Sequence, residues 1–219
     1  MKRIAHIEND LQTKFGVPRQ SGLIEELESR IVFEPEYRDP EALRGLEGFS
    51  HLWLLWDFSE AHREEWSPTV RPPRLGGNQR MGVFATRSPF RPNPIGLSSV
   101  RIKEIRLSTD EGPIIIVEGA DLMNGTPIWD IKPYLPFTDS HPDAKGGFTD
   151  ETYNEAPLDV EFSEAVIQQF SDKQISVLRS ILASDPRPRY HDDEERIYGI
   201  EFAGEDIKFK INNNKVIVL

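Results

Sequence analysis

The sequence predicts a mainly β fold, with an N-terminal barrel or sandwich over residues 1–141 and a small α+β unit over residues 142–219. Three observations predict it. Short β-type runs recur at close spacing through the first two thirds, with no long helical pattern between them, which argues against βαβ units. Pro/Gly-dense segments punctuate those runs: 67–77 and 88–96 hold six of the 17 prolines. A helical apolar period appears only beyond residue 160.

Taken in order, Ile4-Ala5-His6-Ile7 and 28–33 are short strands. Residues 49–58 are nearly continuous apolar and aromatic. That run is too short for a lone long helix and reads as a strand buried on both faces, with Trp53 and Trp56 expected on one side. Strands over 81–86, 96–102, 114–119 and 127–131 follow. In the second unit 157–162 alternates like a strand, and Ser163 is an expected helix N-cap with Glu164 in the first turn. Val166, Ile167, Phe170, Ile175, Leu178, Ile181 and Leu182 recur at near-helical spacing, so one helix is expected through Ala183, stopped by Asp185-Pro186-Arg187-Pro188. Residues 196–202, 207–211 and 215–219 read as three strands, the last two joined at Asn212-Asn213-Asn214.

Composition excludes several chemistries. Hydrophobic residues are 37% and charged residues 29%, which supports a packed core and argues against wholesale disorder. The absence of Cys removes disulfides, zinc–thiolate sites, iron–sulfur clusters and thiol catalysis. The five His residues show no metal-ligand spacing, so no metal is expected. Neither a dinucleotide fingerprint, a P-loop nor a G-x-S-x-G elbow is present. No apolar run approaches the roughly 18–20 residues that span a bilayer, and the first ten residues hold no signal-peptide core, so a soluble cytoplasmic protein with no membrane partner is expected.

The net charge of −11 is segregated. Residues 66–103 carry Arg71, Arg74, Arg80, Arg87, Arg91, Arg101 and Lys103 with no acid, whereas 139–206 carries 17 acids against 6 bases. The basic stripe either binds a polyanion or pairs with acids elsewhere.

Four stretches concentrate chemistry. Gly16-Val17-Pro18-Arg19-Gln20-Ser21-Gly22 offers a guanidinium fork and an amide, suited to a carboxylate or a purine edge, or is an ordinary loop. Ser50-His51-Leu52-Trp53 places a His and a Trp in an apolar strand, as core or as an aromatic shelf for a base. The most specific is residues 82–96, where Arg87 and Arg91 flank prolines and Asn93 lies extended between two more; such density of rigid donors suits a binding loop more than a structural one, which is the alternative. The fourth, residues 121–134, holds an Asn124-Gly125 turn and then Asp130, Lys132 and Tyr134 on one face of an extended segment, as a salt-bridged strand end or a site.

These stretches, in this order, resemble the TrmO family, also called TsaA-like or YaeB-like. The resemblance runs through Pro18-Arg19-Gln20, Gly45-Leu46-Glu47-Gly48-Phe49-Ser50-His51-Leu52-Trp53, Thr69-Val70-Arg71-Pro72-Pro73-Arg74-Leu75-Gly76-Gly77-Asn78, the 85–96 motif, Asp130-Ile131-Lys132-Pro133-Tyr134 and Asp185-Pro186-Arg187-Pro188-Arg189-Tyr190. It implies a dimeric β-barrel methyltransferase that uses S-adenosylmethionine (SAM) to methylate N6 of threonylcarbamoyladenosine next to the anticodon of tRNA. By motif match the SAM residues are Pro18, Arg19, Gln20, Ser59, Glu60, Arg87, Leu97 and the loop around Asp121. Arg87 or Arg19 suits the SAM carboxylate, and Asp121 its ribose hydroxyls or amino group. Tyr134, Lys132 and Asp130 are the catalytic candidates, and Arg71, Arg74, Arg91 and Asn93 the candidates for tRNA. Asn124 departs from the family's usual Asp before Gly-Thr-Pro. The alternative is a SAM- or RNA-binding regulatory module without methyl transfer. A third reading makes the acidic second unit a protein-interaction domain, in which case deleting the residues after His141 is expected to spare cofactor binding.

Overall fold

The computed structural model describes residues 1–75, 79–152, 156–187 and 196–219. Eight strands lie in the first unit: β1 (Ala5–Glu8), β2 (Glu28–Phe33), β3 (His51–Asp57), β4 (Thr69–Val70), β5 (Met81–Gly82), β6 (Ile95–Arg106), β7 (Ile114–Glu118) and β8 (Pro127–Pro133). Six of them close an antiparallel barrel in the order β1-β2-β7-β6-β3-β8, with β8 returning to β1. The expected barrel is therefore present.

Strand alternation sets its inner and outer faces. In β3, Leu52, Leu54 and Trp56 turn into the core, while His51, Trp53 and Leu55 lie half-buried on the outside. Trp53 and Trp56 are three residues apart, an odd interval, so they occupy opposite faces and not the shared side expected. The barrel core is apolar and packs Ala5, Ile7, Ile31, Leu52, Leu54, Trp56, Val100, Ile115, Val117 and Ile128.

Two local readings differ from expectation. Residues 81–86 were expected as a strand, but only Met81–Gly82 pairs, with β4, and 83–85 form a 3-10 turn. Pro72 and Pro73 lack N–H donors and end the β4 ladder after Val70. Between β2 and β3 lie three short 3-10 turns that periodicity does not reveal; two begin at Pro35 and Pro40, and the Asp39 carboxylate caps the second by accepting from the Glu41 N–H at 2.9 Å.

After short helices α1 (Pro136–Asp139) and α2 (Thr149–Thr152), the second unit comprises β9 (Asp159–Phe162), α3 (Glu164–Gln169), α4 (Asp172–Ala183), β10 (Tyr198–Phe202), β11 (Glu205–Asn212) and β12 (Lys215–Val218). The sheet order is β10-β11-β12-β9, with β9 parallel to β12. The single expected helix is two. Phe170 is extended, and Ser171 opens α4 with a reciprocal capping box to Gln174. Helix α4 lays Val177, Leu178, Ile181 and Leu182 against the sheet. That second core also takes Leu11, Ile24 and Leu27 from the β1–β2 connection. The expected Pro188-Arg189-Tyr190 motif and Gly76-Gly77-Asn78 fall outside the described residues.

Candidate cofactor and RNA site

The β1–β2 connection, residues 9–27, gathers most of the sequence-predicted cofactor residues. Its root is tied to the 121–125 turn. The Asn9 side chain donates to Leu122 O at 2.9 Å, and the Asn9 N–H donates to Asn124 Oδ1 at 3.0 Å. Asn124 Nδ2 donates to Gln12 Oε1 at 3.1 Å, so both halves of that amide are used. Gly125 follows at φ +78°, a left-handed conformation suited to Gly, and its N–H donates to Ile7 O at 2.8 Å.

Further along, Lys14 Nζ lies 3.0 Å from the Glu60 carboxylate and donates to Glu60 O at 3.1 Å. Arg87 donates to Gln20 Oε1. Arg19 donates to Asp185 O at 2.9 Å, and Gly22 N–H to Gly119 O at 2.8 Å. One connection thus touches the Glu60 loop, Arg87 and the Asp121 loop together. Pro18 is buried, Arg19 and Arg87 are exposed, and Ser59 lies exposed beside Glu60.

Asp121 ends a buried line of hydrogen bonds. Trp56 Nε1 donates to Ser98 Oγ at 2.9 Å, and Ser98 Oγ lies 2.5 Å from Asp121 Oδ1. Burial raises the Asp121 carboxyl above its ordinary range; the Ser98 hydroxyl, backbone N–H groups of Asp121 and Ser21, and the Arg87 charge oppose that rise.

Leu97 belongs to a different face. It neighbours Ser98 in β6, and alternation sends it outward, 55% exposed. There it opposes Leu55, which opposes Asp130; the next row is Ser99, Trp53 and Lys132, and the next Arg101 and His51. Asp130 and Lys132 pair at 2.9 Å. The Tyr134 ring lies 5.6 Å from Trp53 and 6.1 Å from His51. Trp53 Nε1 donates to Asp139 Oδ2 at 2.7 Å, which, after the Leu135 N–H, holds that carboxyl below its ordinary range. The three catalytic candidates therefore share the outer wall of β3 and β8 with Leu97, while Asp121 bonds to the inner side of β6.

The basic loops form a third group. Arg80 donates to Thr69 Oγ1 at 3.0 Å, and Arg91 to Thr86 O at 3.1 Å and Ser88 O at 3.5 Å. With Arg87 on Gln20, these cations bond neutral oxygens and, among the described residues, no carboxylate; Arg101 and Lys103 instead pair with Glu118. Arg71 and Asn93 are exposed, and the Arg74 side chain lies outside the described residues. Arg63 sits 3.6 Å over the Phe90 ring, and Trp66 stacks at 6.1 Å on Phe84, itself 73% exposed.

Comparison with known proteins decides the family. The family model for the tRNA-methyltransferase O N-terminal domain matches residues 6–140, and that for the TrmO C-terminal domain matches residues 155–219. The chain belongs to the TrmO family. It is 41% identical over 220 residues to the tRNA (adenine(37)-N6)-methyltransferase of Escherichia coli strain K12, covering 97% of this chain and 93% of that protein. A putative S-adenosylmethionine-dependent methyltransferase RcsF of Pseudomonas aeruginosa is 38% identical, covering 93% and 89%. A crystal structure of TrmO superimposes with a TM-score of 0.77 at 32% identity, covering 99% of this chain and 95% of that one.

Against the TrmO motifs, sequence reasoning read Trp56 as core or aromatic shelf and missed its bond to Ser98, and it missed Ser98, Trp66 and Phe84. A polar Ser at an inward position of an otherwise apolar strand was a legible signal for Ser98. Nothing local marks Trp66 or Phe84 as exposed. Among the described residues, no helix is long and apolar enough to cross a membrane, and no three His, Asp or Glu residues converge as a metal site.

Proposed function

We propose that this TrmO chain is a cytoplasmic, homodimeric SAM-dependent methyltransferase acting on N6 of threonylcarbamoyladenosine next to the anticodon of tRNA. Residues 1–141 form its methyltransferase unit and 142–219 its C-terminal unit. The observation that carries the reading is the 9–27 connection, which draws Gln20, Arg87 and Asp121 into one cluster.

The donor set fits SAM. A guanidinium, Arg87 or Arg19, meets the amino-acid carboxylate as a planar fork. Asp121 accepts from ribose hydroxyls or the ammonium group. Pro18, Ser59 and Glu60 line the same loops, and Leu97 adds apolar surface. Bound SAM supplies a methyl group already activated by its sulfonium. The protein's part is alignment of the acceptor nitrogen with that methyl, which supplies much of the rate in a displacement. The acceptor is a urea-type nitrogen and a weak nucleophile, so a proton acceptor or electrostatic partner assists. Tyr134, Lys132 and Asp130 take that role.

Guanidinium groups on the acid-free 66–103 segment suit phosphates, so by their place in that segment Arg71 and Arg74 meet the tRNA backbone. Arg91 and Asn93 contribute from the rigid loop, where Arg91 also braces the backbone. Exposed aromatics beside these loops suit unstacked anticodon-loop bases.

The test is mass spectrometry of nucleosides from tRNA bearing threonylcarbamoyladenosine, incubated with protein and methyl-labelled SAM. The expected product is labelled threonylcarbamoyladenosine heavier by one methyl group. Arg87→Ala is expected to abolish SAM binding and leave the melting transition in place. SAM binding without label in any nucleoside overturns the transfer reading.

A further inference from the structure

We propose that Ser98, with Trp56 behind it, is a positioning residue: it locks Asp121 Oδ1 as a hydrogen-bond acceptor and so leaves Oδ2 to receive a hydroxyl or ammonium hydrogen of SAM. The inference deepens the cofactor reading above and rests on it.

The direction of the line follows from the chemistry of its first member. An indole N–H donates and never accepts. Ser98 Oγ, 2.9 Å from Trp56 Nε1, is therefore the acceptor in that bond. Its single hydrogen is left for Asp121 Oδ1 at 2.5 Å, a length typical of a hydroxyl bonding an ionised oxygen. The reverse polarity is unavailable, because Trp56 has no lone pair to offer. Oδ1 is thus held on Ser98, the carboxylate is fixed in one orientation, and a ligand donor approaches on the Oδ2 side.

The surroundings hold this line in place. Ser98 is 1% exposed, and Trp56 is buried beside it. The Trp56 ring lies against Gly96, where a Cβ would overlap the indole, and Phe58 packs on it at 4.2 Å between centroids. The indole has no room to swing away from Ser98. The neighbouring inward residues Leu54 and Val100 are apolar and fully packed. A hydroxyl at this place costs desolvation unless both its bonds are made, and an apolar side chain would fill the space without that requirement. The polar line serves the carboxylate at its end.

The charged group facing Asp121 is Arg87; Ser21 and Asp121 itself add backbone N–H groups. Removing the Ser98 hydroxyl leaves the buried carboxylate short of one donor, so its protonation moves to higher pH. A protonated Asp121 must lose its proton to receive SAM. The loss of affinity is then larger in acid than in base, which a general loosening of the barrel would not produce.

The experiment is SAM titration by calorimetry from pH 4 to pH 8.5, alongside melting, on full-length wild type, Ser98→Ala, Ser98→Cys, Trp56→Phe and Asp121→Asn. Ser98→Ala is expected to weaken binding about tenfold at pH 8.5, the scale of one bond to a charged group, and more as pH falls toward the carboxylate range. Ser98→Cys, of similar size with a weaker donor, falls between, and it carries the test if the Ala variant fails to fold. Trp56→Phe frees the hydroxyl to turn and gives a smaller loss in the same direction. Wild-type affinity in the Ser98 variants, or a loss equal at every pH, overturns the positioning role. Undiminished SAM binding by Asp121→Asn overturns instead the cofactor reading beneath it.

Discussion

Asp121 is a carboxylate kept where its charge is disfavoured. Burial, the largest effect, raises its pKa above the ordinary 3.8 despite the Ser98 hydroxyl and Arg87. The folded chain therefore holds the Asp121 proton more tightly than the unfolded chain does. Stability from this group declines as pH rises from 3.8 through the raised value, and at neutral pH the ionised form is a net cost. Asn has the same shape, no charge, and an oxygen that still accepts from Ser98. Asp121→Asn is expected to raise the melting temperature at pH 7 while losing SAM affinity. Calorimetry of both properties checks it; a lower melting temperature at pH 7 contradicts the argument. At this scale the sequence exposes the site's donors but not their partners. Pro18, Gln20, Arg87 and Asp121 stand in short dense motifs. The Asp121 bond to Ser98 spans 23 residues and the Arg87 bond to Gln20 spans 67, while the Asn124 turn beside them is tied to Asn9 across 115, and no local pattern reaches so far.

Elements show the same division between local rule and long-range partner. The break between α3 and α4 is written locally: Ser171-Asp172-Lys173-Gln174 is an S-x-x-Q capping box, but the apolar period running through Phe170 and Ile175 conceals it. Ser171→Ala is expected to cost about 1 kcal/mol, read as a lower denaturation midpoint with an unchanged slope. The 12-residue length of β6 is not legible, because beyond Ile102 its charged Lys103, Glu104 and Arg106 break the apolar pattern while the backbone still pairs with β7. Gly96 in that strand reads as a weak strand residue until the Trp56 ring is seen above it. Gly96→Ala forces the indole aside. It is expected to destabilise the barrel by about 1–3 kcal/mol and to weaken SAM binding through Ser98, both read on one preparation by melting and titration. Loss of stability with unchanged SAM affinity would show that β6 and the Asp121 line are independent.

The two units are joined more closely than their separate family models imply. Glu28 in β2 accepts from Lys103 of β6 and from Lys173 of α4, so one carboxylate links barrel and second unit. Those two bonds hold its pKa below the ordinary 4.5. With the folded value lowered, the stabilisation is present above 4.5 and is lost as pH falls through the lowered value. Glu28→Gln is expected to remove that part of the acid dependence, seen as a flatter plot of melting temperature between pH 3 and pH 5 than wild type shows. A plot of wild-type steepness would mean that the linkage contributes nothing.

The same joining bears on what the second unit does for the first. From the order of motifs alone, the second unit looks dispensable for cofactor binding. The packing argues the reverse. The connection that carries Pro18, Arg19 and Gln20 buries Leu11, Ile24 and Leu27 in the second core, pairs Leu11 with Phe202, and anchors Arg19 on Asp185. A chain ending at residue 141 exposes three buried side chains worth about 1.5–3 kcal/mol each and releases the loop from its outer support. Truncation is therefore expected to weaken SAM binding strongly while leaving the barrel's β signature in circular dichroism. The milder Phe202→Ala, in full-length protein, is expected to lower SAM affinity although Phe202 is buried in the second core. Full SAM affinity in both would mean that the loop's ties to Arg87, Asn124 and Gly119 order it without the second unit.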